Sequence, residues 1–251
     1  MRPARSSAGL AAVAILTLAG PAAADSPRIV AAGYADPVSR YGHDVLGGGG
    51  EYETLRLALS DGRRLAVTLS PPLVFEDLAP RLVDLDGDGA PEVLTVESHA
   101  RLGAQIRVWA LRDGAVTTVA EFGRIGTRHR WLAPVGAADL TGDGRIEIAW
   151  VDRPHLARTL QVWRYLPSPD GTARTERIAS LDGVTNHRIG EAVIHGGLRH
   201  CTAEGPPEMI LADAGFREIV AAAFAGASLD SRPLGLPATP EAFARALACR
   251  H

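Results

Sequence analysis

The feature that most constrains this chain is a nine-residue acidic loop that occurs twice in the same form. Residues 84–92 read Asp-Leu-Asp-Gly-Asp-Gly-Ala-Pro-Glu, with carboxylates at loop positions 1, 3, 5 and 9. Residues 139–147 read Asp-Leu-Thr-Gly-Asp-Gly-Arg-Ile-Glu, with a hydroxyl at position 3. A Ca²⁺ ion takes six to eight oxygen ligands, and glycine allows the tight turn that gathers them. The pattern therefore predicts two calcium loops.

Each loop is expected to join one strand to the next. An EF-hand needs a bidentate Glu at position 12 and a helix on each side, whereas position 12 here is Thr95 in the first loop and Trp150 in the second. A short apolar run follows each loop, at residues 92–96 and 147–151. Runs of this length and composition are typical of a strand that is buried on both faces.

A fainter third copy of the loop lies at residues 200–208. His200 replaces the first acid, and the remaining ligand types are Thr202, Glu204 and Glu208, so we expect this copy to keep the turn without an ion. The three strand–loop–strand units recur at intervals of 55 and 61 residues. They resemble the FG-GAP and VCBS repeats, the calcium-bearing blades of integrin-type β-propellers, and the resemblance covers residues 75–223.

The resemblance implies both a fold and a set of metal ligands. The fold is all-β, a small β-propeller of about four blades with calcium loops between the blade strands. The cofactor is calcium, as two structural ions. Their side-chain ligands are Asp84, Asp86, Asp88 and Glu92 in the first loop, and Asp139, Thr141, Asp143 and Glu147 in the second. The carbonyls of Ala90 and Arg145 would complete the two sites.

The N-terminal sequence predicts export. Arg2 and Arg5 precede an apolar run at residues 10–19, and the small residues at 21–24 fit cleavage after Ala24, as in a secretory signal peptide. This run is about half as long as the roughly 20 residues that a membrane span needs. We therefore expect a periplasmic or secreted protein whose mature form has no membrane span.

Residues 25–251 are expected to form one β-propeller domain. A degenerate first blade is assigned to residues 27–78, and repeat units to 79–133, 134–194 and 195–236. Thr239 as N-cap, with Pro240 after it, predicts a short helix at 240–249. Cys201 and Cys249 are the two cysteines, and in an exported protein we expect them to form a disulfide. A free thiol that packs or faces a partner is the alternative.

Histidines and arginines recur just before the predicted inner strands, which the resemblance places near one mouth of the central channel. Side chains of these two types supply donors and a titratable group, so we expect them to converge on a site for an anion or a metal. The candidates are His43, His129, Arg130, His187, Arg188 and Glu191. The alternative is that the arginines pair with carboxylates of neighbouring blades.

The sequence favours binding over catalysis. It has neither a Gly-x-Ser-x-Gly nor a His-Glu-x-x-His motif, and the net charge of −5 beyond residue 24 disfavours nucleic acid as a partner. We predict a non-catalytic scaffold for an unknown protein or a small anionic or saccharide ligand. One alternative is an enzyme acting on a polysaccharide through Glu97, Asp152 or Glu191 beside the histidines. The other is a purely structural or adhesive repeat domain.

Overall fold

The computed structural model describes residues 26–202 and 205–250. The predicted signal peptide lies outside these ranges. The described residues form 17 β-strands and one short C-terminal helix, which confirms the all-β class. Within this part of the chain, no helix is long and apolar enough to cross a membrane.

The first sheet has eight strands and joins the first two predicted units. Its strands are β1 (Ile29–Pro37), β2 (Glu51–Leu59), β3 (Arg64–Thr68), β4 (Leu73–Glu76), β5 (Arg81–Val83), β6 (Glu92–His99), β7 (Gly103–Arg112) and β8 (Ala115–Phe122). The boundary expected at residue 78 falls between β4 and β5, and both strands pair with β6. Strand β4 also pairs with β2, so it connects the first unit to β6 of the second. The first unit therefore does not form a separate sheet.

The second and third sheets contain the remaining strands. The second consists of β9 (Leu132–Ala138), β10 (Glu147–Asp152), β11 (Thr159–Pro167) and β12 (Ala173–Asp182), each paired with the next. The third consists of β13 (Val184–Thr185), β14 (Gly197–Arg199), β15 (Glu208–Asp213), β16 (Glu218–Ala225) and β17 (Ser228–Pro237). Here β13 and β14 both pair with β15, as β4 and β5 do with β6.

The strand that follows each complete loop is buried on both faces, as predicted. Seven of the eight residues of β6 and five of the six of β10 are buried. One apolar cluster packs between the first and second sheets around Trp131, Ile148 and Trp150. Trp163 stacks on Trp150 with ring centroids 5.8 Å apart, so its packing role is the one expected for a large aromatic side chain.

The C-terminal helix α1 (Pro240–Leu247) is capped by Thr239, whose hydroxyl accepts a hydrogen bond from the Ala242 amide at 3.3 Å. It ends before the expected residue 249 because Cys249 adopts a left-handed conformation with φ of 57°, which stops a right-handed helix. The predicted disulfide between Cys201 and Cys249 is confirmed. It joins the end of the helix to the third loop.

A close contact between two loops places the first unit beside the start of the third sheet. The Gly190 amide donates to the Val45 carbonyl at 3.0 Å. A Cβ atom at Gly47 would lie 2.3 Å from the Gly190 carbonyl oxygen, so only glycine permits this approach. The contact helps to enclose the pocket described below.

Candidate functional site

The first acidic loop gathers three carboxylates. One oxygen each from Asp84, Asp86 and Asp88 lies within 4.8 Å of the others, and no other group of three such ligand types is this close among the described residues. The Gly87 and Gly89 amides donate to Asp84 at 2.8 and 3.0 Å. Burial raises the pKa of Asp86, and the charge of Asp88 adds to the rise. This crowding of like charges is what a cation would relieve.

The ninth residue of the first loop lies apart from the three aspartates. Glu92 is fully buried, and its Oε2 accepts a hydrogen bond from the Leu85 amide at 3.0 Å. Its Oε1 lies 3.4 Å from the Arg112 guanidinium. Burial raises the pKa of Glu92 to about 7. Glu92 therefore closes the loop from inside, and the carboxylates that lie close together in the first loop are those of the three aspartates.

In the second loop a guanidinium group lies among the predicted ligands. One terminal nitrogen of Arg164 is 2.6 Å from Glu147, 2.9 Å from Asp143 and 3.1 Å from the Thr141 hydroxyl. Arg164 is held there by the pairing of β10 with β11, in which it faces Glu147. Glu147 also accepts a hydrogen bond from the Leu140 amide at 2.9 Å. The loop thus already contains a cation from the protein itself.

In the third loop too, the glutamate at the ninth position pairs with arginine. Glu208 lies 2.6 Å from Arg199 and 2.6 Å from Arg232. Arg199 also donates to the Ala246 carbonyl of the C-terminal helix at 2.8 Å. Glu208 is therefore linked to the helix through Arg199, and Glu204 lies outside the described residues.

The donor sets of the two complete loops differ in their fit to calcium. Three aspartate side chains in the first loop offer the hard oxygens that Ca²⁺ prefers, and Arg112 approaches them no closer than 3.5 Å, at Asp86. In the second loop the Arg164 guanidinium contacts three of the four predicted ligands. The first loop fits a calcium ion, and the second does not while Arg164 stays in place.

A second site, which we call the histidine pocket, is a cavity of about 250 Å³ near the loop contact. Its walls come from the loop before β2, the segment before β9, the turn after β10 and the loop after β13. The lining residues are His43, His129, Arg130, Trp131, Arg153, Pro154, His155, Leu156 and Ile189. No carboxylate is among them.

Buried partners hold the histidines of this pocket in place. His43 Nδ1 lies 2.6 Å from a carboxylate oxygen of Glu76, which is 1% exposed. The rings of His43 and His129 stack with centroids 5.0 Å apart. The His129 amide donates to the Tyr41 hydroxyl at 3.0 Å. The pocket wall is therefore fixed by contacts that lie behind it.

His155 is anchored by a second histidine. Its Nε2 lies 2.9 Å from His187 Nδ1, and His187 Nε2 lies 2.8 Å from the Glu191 carbonyl oxygen. Burial, followed by the charges of His187 and His43, lowers the pKa of His155 to about 4. Burial also lowers the pKa of His187. Both rings are consequently neutral near pH 7.

The structure brings together part of the predicted His/Arg cluster. His43, His129 and Arg130 line the pocket, and His187 reaches it through His155. The other two candidates point elsewhere, with Arg188 lying over the Phe216 ring at 4.1 Å from its centroid and Glu191 contacting His195 at 2.7 Å.

The acids considered for catalysis have other partners. Glu97 is fully buried and lies 2.6 Å from Arg124, and Asp152 lies 2.8 Å from Arg153. Neither lines the histidine pocket, and nor does the Glu191 side chain.

Sequence reasoning missed His155, Arg153 and Arg164. A signal for the first two exists, because they follow the buried strand β10. This strand runs antiparallel to β9 with Asp152 opposite Leu132, so the end of β10 lies beside the segment before β9. Arg164 directly follows Trp163 in a strand antiparallel to β10, so an alignment of the two strands would have placed it opposite Glu147.

Comparison with known families identifies the loop region. Residues 84–150 match the model of the FG-GAP-like repeat. This part of the chain is an FG-GAP-like repeat. The match begins at the first residue of the first loop and includes all of the second, so the predicted FG-GAP resemblance is confirmed where the motif is strongest. No curated protein and no solved structure matches the chain.

Proposed function

We propose that this protein is an exported, non-catalytic binding module that uses its histidine pocket to hold a ligand. The observation that carries the proposal is the convergence of His43, His129, Arg130 and His155 from separate loops on one cavity. Concave sites with a few well-placed polar groups are the usual form of small-ligand sites. Glu97 and Asp152 pair with Arg124 and Arg153 and do not line the cavity, which favours binding over acid/base chemistry.

Export and repeat architecture form part of the same proposal. A disulfide such as that between Cys201 and Cys249 persists mainly in oxidising compartments, in agreement with the signal-like N-terminal sequence. The FG-GAP-like repeat and the meander β9–β12 support a small β-propeller of about four blades in residues 25–251.

Calcium has a structural role in this proposal, and we assign one ion rather than two. It would bind at Asp84, Asp86 and Asp88 and relieve their mutual repulsion. A ligand that binds only the folded state stabilises it by about 2.7 kcal/mol at one hundred times its dissociation constant. At the second loop the Arg164 guanidinium neutralises the acids in place of a metal.

The metal assignment predicts how two loop substitutions respond to calcium. Asp86→Ala should cost more stability in calcium than in chelator, because the metal-bound state loses a ligand. Asp143→Ala, which also removes one aspartate but at position 5 of the second loop, should cost about the same in both. Urea unfolding of each variant in the two buffers measures the difference. Equal losses for Asp86→Ala in both buffers would refute a metal role for the first loop.

The binding assignment is tested with a defined panel of compounds. Thermal melts of the disulfide-bonded protein would be recorded with monosaccharides, uronic acids, organic acids and inorganic anions. We expect at least one class to raise the melting temperature, and Arg130→Gln to reduce the rise. Arg174→Gln, an exposed arginine of β12 outside the pocket, should leave it unchanged. A panel without any stabilising compound, or an undiminished rise in Arg130→Gln, would overturn the pocket as the binding site.

A further inference from the structure

Behind the histidine pocket, a hydrogen bond fixes which ring nitrogen of His187 carries the proton. A carbonyl oxygen can only accept a hydrogen bond, so the contact with the Glu191 carbonyl places a proton on His187 Nε2. In a neutral imidazole the other nitrogen is then an acceptor. His187 Nδ1 therefore accepts from His155 Nε2 at 2.9 Å, and His155 Nδ1 is left with a free lone pair.

This arrangement holds near neutral pH because neither ring takes up a second proton there. The pKa of His155 is lowered to about 4 and that of His187 is also lowered, in both cases chiefly by burial. A histidine nitrogen whose tautomer is set by the partner of its other nitrogen is a directional acceptor. The pocket thus presents an acceptor at His155.

Two arginines supply positive charge to the same cavity. Arg130 forms no ion pair with any residue in the described ranges, and its guanidinium donates only to the neighbouring His129 carbonyl at 2.8 Å. Arg153 shares its charge with Asp152 at 2.8 Å and remains 41% exposed. Charge-assisted hydrogen bonds from guanidinium groups to oxyanions are strong and directional. The pocket therefore combines two cationic donors with one neutral acceptor.

The backbone around the pocket is held in a defined conformation. His129 and Arg153 both have left-handed conformations, with φ of 51° and 45°. Residues other than glycine adopt this conformation at a cost in free energy. Such residues are frequent at functional sites, where surrounding contacts hold them in place. Here the Arg153 amide donates to the Trp131 carbonyl at 2.9 Å.

We propose that the histidine pocket binds a small oxyanion that carries its own hydroxyl group, such as hydrogen phosphate or a 2-hydroxycarboxylate. The charged oxygens face Arg130 and Arg153, and the ligand hydroxyl donates to His155 Nδ1. This inference rests on the proposed binding function and specifies its ligand class. A fully ionised anion without a hydroxyl, such as sulfate, would place an oxygen lone pair next to the lone pair of His155 Nδ1, and the two would repel each other. A site that accepts a hydrogen bond from a ligand hydroxyl discriminates against the analogue that lacks it.

The test compares two pairs of anions that differ in the hydroxyl. Isothermal titration of the full disulfide-bonded protein near neutral pH, at constant ionic strength, would use phosphate against sulfate and malate against succinate. We expect the hydroxyl-bearing member of at least one pair to bind tenfold or more tightly. A preference confined to phosphate identifies an inorganic ligand, and one confined to malate identifies an organic acid.

Two substitutions test the hydrogen-bond acceptor and the cationic group separately. His155→Leu removes the acceptor and should abolish the preference within each pair while weak binding of all anions remains. Arg130→Gln should weaken every anion about tenfold and keep the preference, and Arg174→Gln should change neither. If His155→Leu does not fold, nitrogen NMR of the unmodified protein replaces it, since the His155 Nδ1 resonance of an unprotonated nitrogen should move when phosphate binds and stay fixed with sulfate.

The outcomes distinguish this inference from the proposed function. Equal affinity within both pairs, or a preference that survives His155→Leu, overturns the hydroxyl inference and leaves the pocket as a binding site for other ligands. A His155 Nδ1 resonance that shows a protonated nitrogen in the free protein also overturns it. The absence of binding by all four anions overturns the inference, while the wider panel of compounds still tests the pocket.

Discussion

At the scale of single residues, the arginine partners decide what each acidic position does. The ninth loop residue is Glu in all three copies, and in each it faces an arginine, with Glu92 near Arg112, Glu147 near Arg164 and Glu208 near Arg199. Glu92 and Glu147 also accept hydrogen bonds from the second residue of their own loop. The extra methylene of Glu lets the carboxylate reach back across the loop. In these two copies the ninth residue thus closes the turn.

The buried pair of histidines predicts a specific response to acid. The pKa of His155 falls from an ordinary 6.5 to about 4 in the folded protein, so the unfolded chain binds a proton below pH 6.5 that the folded chain does not. Its contribution to stability is therefore present above pH 6.5 and is lost as the pH falls toward 4. Allowing for partial exposure, we expect a loss of about 2 kcal/mol from this residue.

Urea unfolding of His155→Gln at several pH values between about 7 and 4.5 checks this expectation. The variant should lose about 2 kcal/mol less stability over this range than the unmodified protein, because its side chain does not titrate. His200→Gln, in the exposed third loop, is the matched control and should follow the unmodified protein. Parallel curves for His155→Gln and the unmodified protein would contradict the assignment of a neutral His155.

At the scale of elements, the sequence predicted the strands and turns better than their side-chain partners. The buried strands after the loops and the N-cap at Thr239 follow from local patterns, and the structure has them. The placement of Arg164 against Glu147 depends on strand register, which a local motif does not specify. The predicted ligands of the second loop consequently included Asp143 and Glu147, which already pair with Arg164.

The two loops therefore predict different calcium stoichiometries for matched arginine substitutions. The unmodified protein should bind one calcium ion. Arg164→Gln frees Thr141, Asp143 and Glu147 and should allow a second ion to bind. Arg112→Gln, the equivalent change at the first loop, should leave the count at one, because that arginine lies 3.5 Å from Asp86 and does not fill the loop.

Native mass spectrometry counts the ions, and calorimetric titration gives their affinities. In chelator, Arg164→Gln should also be less stable by about 3 kcal/mol, since removing one partner of a buried ion pair leaves Glu147 uncompensated. Calcium should restore part of this loss. Two ions bound to the unmodified protein, or a single ion in Arg164→Gln, would show that the guanidinium does not substitute for the metal.

At the scale of the whole molecule, contacts between units create the features that the sequence could not locate. The histidine pocket needs the loop before β2, the segment before β9, the turn after β10 and the loop after β13 at the same time. The sequence indicated His43 and His129 from repeated motifs, but Arg188 has the same pattern and lies over Phe216 instead. Which member of a recurring motif faces the cavity depends on packing between sheets, and no single repeat contains that information.

The disulfide is the clearest link between distant parts of the chain. It joins Cys201 in the third loop to Cys249 after α1 across 48 residues, and the helix packs through Phe243 against Phe216. Closing a loop of this length stabilises a fold by about 4 kcal/mol in the chain-entropy model. Because Arg199 also bonds to the helix, the helix keeps a second tie to the third loop when the disulfide is absent.

Replacing both cysteines by serine should therefore lower stability by about 4 kcal/mol without removing the pocket. The double variant avoids a free thiol, and urea unfolding compared with the unmodified oxidised protein measures the loss. None of the pocket-lining residues lies beyond residue 189. Under conditions in which the double variant is folded, its affinity for any anion that the unmodified protein binds should therefore differ by no more than about twofold. A loss of anion affinity in the folded variant would mean that the C-terminal helix and third loop hold the pocket in shape, contrary to the contacts that place its walls in the earlier units.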